Sequence, residues 1–321
     1  AQTRLAHIMG VDTDEVSFGP STTQNTYVLS QAFRQWLSPG DAIVVTNQDH
    51  EANSGPWRRL VESGIKVREW QIDPETGHLD PATLPALLDG AKLLCFPHCS
   101  NVVGEINDVA AITAMARDAG AFTCVDGVSY APHGIPDVDA LGADIYLFSS
   151  YKTYGPHQGI MVIRRALGEA LPNQGHHFNG YNLSKRFTPA GPDHAQVAAS
   201  AGMADYLDAL FASMKLPHVE ARERAHAVHD AMRDRETKLL GPLLDYLGSR
   251  NDIRLLGPRS AKTRAPTVAI ACEQPGADLS AALAPHNIMA GGGDFYAQRP
   301  LEAMGIDPEK GVLRMSFTHY T

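Results

Sequence analysis

The sequence lacks the features that mark membrane, disulfide-rich and nucleic-acid-binding proteins. No apolar run approaches the ~20 residues of a membrane-spanning helix, and the 321 residues include only four cysteines. The 27 Lys and Arg residues are scattered and are outnumbered by 36 Asp and Glu residues, which gives a net charge of −9. We therefore expect no membrane span, no disulfide framework and no nucleic-acid partner.

The four cysteines lie in or beside apolar, strand-like segments, where a free thiol packs as a small hydrophobe. We expect all of them to be buried and reduced. Cys95 and Cys99 flank His98, but Leu94-Cys95-Phe96 is typical of a strand core and no second ligand pair follows, so no metal site is predicted.

The two ends of the sequence are also uninformative as targeting signals. The first residues, 1–4, show no signal-peptide pattern, so a cytoplasmic location is the default expectation. The sequence begins within an amphipathic segment and stops directly after a strand-like run, which suggests that both ends are truncated.

The first half of the sequence alternates short apolar runs with helix-like stretches. This alternation is typical of an α/β protein with a mainly parallel sheet covered by helices on both faces. The predicted strands are 42–46, 67–72, 92–96, 121–125, 145–148 and 159–163, and the predicted helices are 22–37, 56–63, 81–88 and 109–119.

The pattern changes after residue 175, where a loop rich in His, Asn, Gly and Pro runs to residue 194. Long helices are predicted over 195–210 and 217–247. A smaller region follows, with strands at 253–256, 267–272 and 311–317 and a helix at 279–286. We expect a large domain over 11–195 and, over 196–321, linking helices with a smaller α+β domain.

Polar clusters follow four of the predicted strands, where ligands bind in open parallel sheets. Any one cluster could be a solvated loop, and a lysine after a strand usually extends into solvent. Their combination at one sheet edge instead predicts a ligand crevice. The clusters are Asp49-His50-Glu51-Ala52-Asn53, His98-Cys99-Ser100-Asn101, Asp126-Gly127-Val128-Ser129 and Ser149-Ser150-Tyr151-Lys152.

The spacing of His50, Asn101, Asp126 and Lys152, with the motif Ser149-x-x-Lys152-x-Tyr154-Gly155-Pro156, resembles the class V aminotransferases. These are fold type I, pyridoxal-phosphate-dependent enzymes, and the likeness is closest to their cysteine desulfurase-like and isopenicillin N epimerase-like branch. It runs from about Ser17 to the C-terminus. The resemblance implies a seven-stranded sheet, pyridoxal 5'-phosphate as cofactor, an amino-acid substrate and a homodimer with a shared active site.

The resemblance assigns catalytic roles to three residues. Lys152 would form a Schiff base with the cofactor and later move the substrate Cα proton. Asp126 would hold the pyridine nitrogen protonated, so that the ring can accept electrons. His50 would stack on the ring and assist proton transfer.

The cofactor phosphate requires an anion site, and the start of the first predicted helix offers one. Ser21, Thr22 and Thr23 supply hydroxyls and backbone N–H groups there, and Ser149 and Tyr151 would add to the site from the next-to-last strand of the large domain.

Three further residues would contact the cofactor or substrate. Asn101 is expected at the cofactor's phenolate side or at the substrate, and Ser129, where many family members have Gln, at the same oxygen. Arg314, inside an apolar strand, would bind the substrate α-carboxylate. A structural salt bridge is the alternative for Arg314.

The sequence departs from the desulfurases at two loops. Residues 291–297 contain three glycines, which could form a flexible lid, but no persulfide-forming cysteine. Gly191 stands where desulfurases commonly have a threonine that reaches the partner's phosphate; Asp193 or His194 could substitute. His176 and His177 could line a substrate entrance or lie on the surface.

We therefore expect an aminotransferase-like enzyme. A C–S lyase or an epimerase without a persulfide cysteine, a non-catalytic pyridoxal-phosphate-binding protein, and a sugar or nucleotide binder remain as alternatives.

Overall fold

The structure, a computed structural model, describes residues 1–321 as thirteen helices and eleven strands. The helices are α1 (Gln2–Met9), α2 (Thr22–Trp36), α3 (Glu51–Arg58), α4 (Leu84–Leu88), α5 (Val109–Asp118), α6 (Val138–Leu141), α7 (Arg165–Ala170), α8 (Leu183–Arg186), α9 (His194–Ala199), α10 (Ala201–Ser213), α11 (Ala221–Gly248), α12 (Gly276–Leu283) and α13 (Gln298–Ala303). The strands are β1 (Val16–Gly19), β2 (Ala42–Thr46), β3 (Lys66–Trp70), β4 (Ala91–Pro97), β5 (Phe122–Asp126), β6 (Ile145–Ser149), β7 (Gly159–Ile163), β8 (Arg254–Leu255), β9 (Thr267–Ala271), β10 (Gly291–Gly293) and β11 (Val312–Ser316).

The larger sheet has seven strands in the order β1-β7-β6-β5-β4-β2-β3. The strands from β3 to β6 pair in parallel, whereas β7 pairs antiparallel with both β6 and β1. The predicted α/β fold with a mainly parallel sheet is confirmed. The edge strand β1 was not predicted, because its four residues form no apolar run.

Both faces of the central part of this sheet are buried, which explains why β2, β6 and β7 are almost continuously apolar, whereas the edge strands β1 and β3 contain polar residues. In β6, Ile145 and Leu147 join one apolar cluster, while Tyr146 and Phe148 join the cluster on the opposite face. Clusters of polar residues follow the carboxyl ends of the parallel strands β2, β4, β5 and β6.

The smaller sheet is antiparallel in the order β10-β11-β9-β8. The 28-residue helix α11 packs Leu240, Leu244 and Leu247 against it. At the other end of the chain, α1 packs against α10 and α11. The division into domains at residues 195 and 196 stays a prediction.

Several helices differ in their bounds from those predicted, and two of the differences have a local cause. Helix α3 begins at Glu51, five residues before the predicted start at Pro56, because the ring of His50 caps it by accepting a hydrogen bond from Ala52 N at 3.0 Å. Histidine is an unusual cap, so no residue before Glu51 predicted a helix start there. The helix predicted over 195–210 breaks at the buried Ser200, whose hydroxyl bonds Gln158 Oε1 at 3.0 Å.

The cysteines follow the expectation only in part. All four are free thiols; Cys95, Cys99 and Cys124 are buried, but Cys272 is half-buried just after β9. No helix combines the length and apolar character that a membrane span requires. No cluster of three or more His, Cys, Asp and Glu side chains is arranged to hold a metal ion.

Candidate active site

A cavity of about 900 Å³ lies between the carboxyl ends of the parallel strands and the smaller sheet. Its walls come from the start of α2, the loops after β2, β4, β5 and β6, the segment after β10, and β11. Ten of the residues predicted from the sequence line it: Thr22, Thr23, His50, Asn101, Asp126, Ser129, Ser149, Tyr151, Lys152 and Arg314. The roles given to them stay predictions.

Ser21, the remaining predicted residue, does not line the cavity. Its hydroxyl caps α2 by accepting a hydrogen bond from Gln24 N at 3.2 Å. The hydroxyl of Thr22 lies 2.8 Å from that of Ser149. A Cβ at Gly159 would lie 2.4 to 2.7 Å from the backbone of residues 21 and 22, so this glycine lets the helix start reach the end of β6. The result is a helix N-terminus with two hydroxyls, which suits an anion.

Lys152 lies at the end of a 3₁₀ turn, Ser150–Lys152, directly after β6. The turn is held by the Thr153 hydroxyl, which donates to Ser149 O at 3.0 Å, and by Ser150. The Lys152 amine makes no hydrogen bond or ion pair with the protein and lies 5.7 Å from the ring centroid of Tyr151. A fixed backbone therefore presents an unpaired amine to the cavity.

Asp126 ends β5 and is buried at the floor of the cavity. Its Oδ1 accepts a hydrogen bond from Val128 N at 2.8 Å, and its second oxygen has no protein partner. Burial raises the pKa of Asp126 to about 6, although Val128 N–H and Lys152 oppose that rise. At neutral pH the carboxyl is mostly ionised and one oxygen remains free for a cationic group.

Asp49 is a buried cavity residue that the sequence reasoning did not single out. Its Oδ2 accepts a hydrogen bond from Asn53 at 3.2 Å, while Oδ1 is buried without a partner. Burial, and then the charge of Asp126, hold the pKa of Asp49 well above its usual range. It belongs to the first of the polar clusters that predict a ligand crevice, but no role was assigned to it from the sequence.

His50 is a neutral imidazole at neutral pH. Burial lowers its pKa to about 4, and the charges of Lys152 and Arg314 add to that effect. Because Nδ1 accepts the hydrogen bond from Ala52 N, the ring proton is assigned to Nε2. The ring can therefore donate through Nε2 or stack without bringing a charge.

The low pKa of His50 predicts a specific pH dependence of stability. An unfolded histidine, with a pKa of about 6.5, takes up a proton below that pH, whereas folded His50 does so only near pH 4. The free energy of unfolding should therefore fall as the pH drops through this window. In urea titrations, the free energy of unfolding of the wild type should fall by about 2 kcal/mol more between pH 7 and pH 5 than that of His50→Asn. Asparagine at position 50 keeps a good helix cap. Equal losses would contradict the neutral state of His50.

Arg314, on β11, contacts Asn101, in the loop after β4. Arg314 Nη1 donates to Asn101 O at 3.0 Å, and the guanidinium carbon lies 3.9 Å from the ring centroid of Phe295. Asn101 Nδ2 donates to Phe295 O at 2.9 Å, and Asn101 Oδ1 is buried without a partner. Arg314 forms no salt bridge in the chain, so the structural ion pair considered from the sequence is absent.

The glycines 291–293 form β10, paired with β11, and the residues after them reach the cavity. Phe295 and Tyr296 belong to the segment 291–297, which corresponds to the desulfurase loop with the persulfide-forming cysteine and here contains none. The cavity does contain one thiol, Cys99, but it is buried and burial raises its pKa to about 12. At neutral pH that thiol is protonated and a poor nucleophile.

The loop that the resemblance connected with a partner subunit, and the two histidines considered for a substrate entrance, lie outside the cavity. Gly191 is exposed, and a Cβ there would meet nothing within 4 Å. Asp193 caps α9, accepting hydrogen bonds from Ala195 N and Gln196 N at 3.0 and 3.1 Å. His176 and His177 are exposed.

The sequence matches the family described as Aminotransferase class-V over residues 1–321. It is 32% identical over 316 residues to the aminotransferase-like protein FGM3 of Gibberella zeae, an alignment that covers 96% of this chain and 75% of that protein. It is 40% identical over 171 residues to a cysteine desulfurase of Serratia proteamaculans, covering 52% of this chain and 42% of that enzyme.

Solved structures show the same likeness. The apo cysteine desulfurase of Thermococcus onnurineus NA1 superposes with a TM-score of 0.83 at 26% identity, covering 99% of this chain and 78% of that one. The cysteine desulfurase CsdA of Escherichia coli gives a TM-score of 0.80 at 25% identity, covering 100% and 78%. The fold predicted from the sequence is confirmed by these neighbours.

Proposed function

The chain belongs to the Aminotransferase class-V family of pyridoxal 5'-phosphate-dependent enzymes, and from that premise we propose that it holds the cofactor on Lys152 and deprotonates an α-amino acid at Cα. The observation that carries the proposal is the placement of an unpaired amine, an ionised carboxylate and an unpaired guanidinium in one cavity: Lys152, Asp126 and Arg314. When bound, pyridoxal phosphate would accept the electron pair that remains on Cα after its proton is removed.

The residues of the cavity fit this cofactor. The start of α2 with Thr22 and Ser149 suits a phosphate, and the free oxygen of Asp126 suits a protonated pyridine nitrogen. Asn101 Oδ1 and Asp49 Oδ1 are buried without protein partners, as expected where a bound group completes the hydrogen bonding. Ser129 lines the same wall as Asp126 and would add a hydroxyl.

Each cavity residue would then have one task. Lys152 binds the cofactor and, once displaced by substrate, takes the Cα proton as a general base. Asp126 keeps the ring nitrogen protonated by its negative charge, and the neutral His50 covers the ring without competing for that charge. Arg314 binds the substrate carboxylate through the donors that its contact with Asn101 leaves free.

We favour amino-group transfer over sulfur removal. A persulfide route needs a reactive thiolate, and the only cavity thiol, Cys99, is protonated and buried. Lyase and epimerase reactions without such a thiol share the same Cα proton removal, and the atom that is protonated next distinguishes them. A protein that only binds the cofactor would not need Arg314, an arginine without a salt bridge that is proposed to bind the substrate carboxylate.

We also propose a homodimer in which the loop 188–194 completes the neighbouring site. That loop is exposed, and Phe178 and Tyr181, on the segment before it, are 61% and 88% exposed. Exposed aromatic side chains among polar ones are typical of protein interfaces. Light scattering should give the mass of a dimer; a monomer at all concentrations would contradict this arrangement.

The test is a panel of L- and D-amino acids, each incubated with the cofactor-loaded protein without an amino acceptor. Amino-group transfer predicts one equivalent of 2-oxo acid per site, and turnover only after a second 2-oxo acid is added. Multiple turnovers that release pyruvate or alanine with sulfur from cysteine would indicate a lyase instead. An unchanged cofactor spectrum with every amino acid would contradict the proposal.

A further inference from the structure

We propose that Phe295 is a positioning residue whose ring fixes the plane of the Arg314 guanidinium, so that its free edge meets the substrate carboxylate. This role rests on the proposed function of Arg314. The guanidinium carbon lies 3.9 Å from the centroid of the Phe295 ring, which is within the distance of a strong cation–π contact. No carboxylate of the protein competes for the charge.

The contacts of Arg314 leave one edge of its guanidinium open. Only Nη1 bonds the protein, to Asn101 O at 3.0 Å, whereas Nε and Nη2 have no protein partner. Nε and Nη2 together form the fork that binds a carboxylate with two parallel hydrogen bonds. A ring over one face and a bond at Nη1 define the plane in which that fork lies.

Phe295 is itself held from both sides. Its carbonyl accepts the hydrogen bond from Asn101 Nδ2 at 2.9 Å, and the next carbonyl, of Tyr296, accepts one from Glu51 N at 2.9 Å. Phe295 and Tyr296 have φ values of 54° and 56°, a left-handed conformation that bulky residues rarely adopt. Such a conformation persists only where surrounding contacts hold it, as the two hydrogen bonds to this segment do here.

The glycine before this segment makes room for the ring. Gly291 lies opposite Arg314 in the β10–β11 ladder. A Cβ at Gly291 would lie 2.9 and 3.0 Å from two atoms of the Phe295 ring, closer than side chains pack. Any other residue at 291 would therefore push the ring away from the guanidinium. Gly291, Phe295 and Arg314 form one packing unit.

The experiment measures binding rather than turnover. The ligand is 2-methylalanine, which has a carboxylate but no Cα proton, and its Kd is measured by calorimetry on cofactor-loaded protein. Phe295→Leu should bind it about tenfold more weakly, whereas Phe295→Tyr, which keeps the aromatic face, should bind as wild type does. Visible absorbance of the bound cofactor should be the same in all three proteins.

Two further variants keep the test decisive. Gly291→Ala retains Phe295 but displaces its ring, so it should weaken binding in the same direction even if Phe295→Leu folds poorly. Tyr246→Leu removes a second aromatic ring beside an arginine, Arg250 at 6.0 Å, far from the cavity, and should change nothing.

Wild-type affinity in both Phe295→Leu and Gly291→Ala would overturn the positioning role. So would an equal loss in Phe295→Tyr, because that variant keeps the ring. Unchanged binding in Arg314→Met would instead overturn the proposed carboxylate contact itself, and the role of Phe295 with it.

Discussion

Lys152→Ala should leave a folded protein that neither retains pyridoxal phosphate after dialysis nor absorbs in the visible. The cavity offers no other lysine amine, so the covalent bond to the protein is lost with this side chain. Removal of the proton-transfer group should in addition lower the rate with any amino-acid substrate by about 10²- to 10⁴-fold, even with cofactor in excess. Absorbance after dialysis and initial rates measure the two effects separately.

Lys66→Ala is the matched control, because Lys66 is exposed at the start of the edge strand β3. It should keep the absorbance and the rate of wild type. A Lys152→Ala protein that still absorbs in the visible after dialysis, or that keeps more than a tenth of the rate, would show that another amine carries the chemistry.

Asp126→Asn should make the enzyme slower and the cofactor-free protein more stable. Asparagine keeps the acceptor for Val128 N–H, but it loses the charge that holds the ring nitrogen protonated. Loss of one preorganised electrostatic partner typically lowers the rate by about 10²- to 10³-fold. The cofactor should remain attached, because Lys152 is unchanged.

The stability gain follows from the raised pKa of Asp126. An unfolded aspartate, with a pKa of about 3.9, releases its proton more readily than folded Asp126, whose pKa is about 6. The cost of that buried charge is absent below the unfolded pKa, grows between the two values, and is complete above pH 6. At pH 8, Asp126→Asn should therefore raise the free energy of unfolding by about 3 kcal/mol.

Urea unfolding at pH 8 and pH 4 measures this gain, which should nearly vanish at the lower pH. Asp108→Asn is the control, since Asp108 caps α5 on the surface and asparagine caps equally well. A destabilised Asp126→Asn protein, or one with the wild-type rate, would contradict the role given to this carboxylate.

The convergence of His50, Asp126 and Lys152 could be predicted because each follows a strand of one parallel sheet. The carboxyl ends of parallel strands lie along one edge of the sheet, so residues that directly follow different strands are expected to lie close together. The same logic placed Asn101 and Ser149. The number of strands in the larger sheet was implied by the family resemblance rather than by periodicity, and their order was not predicted.

The Phe295 contact could not be predicted, because it depends on a left-handed backbone at residues that rarely adopt one. Positive φ is expected of glycine, so the sequence predicts it at the neighbouring glycines 291–293 and not at Phe295. Asp49 was missed for a different reason. Its burial, among residues of other elements such as Asp126, is a tertiary property that leaves no local pattern in the sequence.

Ser21 was predicted from a local motif to bind the phosphate, but it does not line the cavity. Three adjacent hydroxyls at a helix start suggest three ligands for an anion, yet the first of them caps its own helix. Only the direction of the chain entering α2 decides which hydroxyls face the cavity. That direction is set by the close approach of Gly159, far away in sequence.

The most direct test of the central claim is to reduce the cofactor-loaded protein with borohydride and to map the modified lysine by mass spectrometry of its peptides. The account predicts that the phosphopyridoxyl group is found on Lys152, at one equivalent per chain, and on no other lysine. An unmodified Lys152 peptide, or the group on a different lysine, would contradict it.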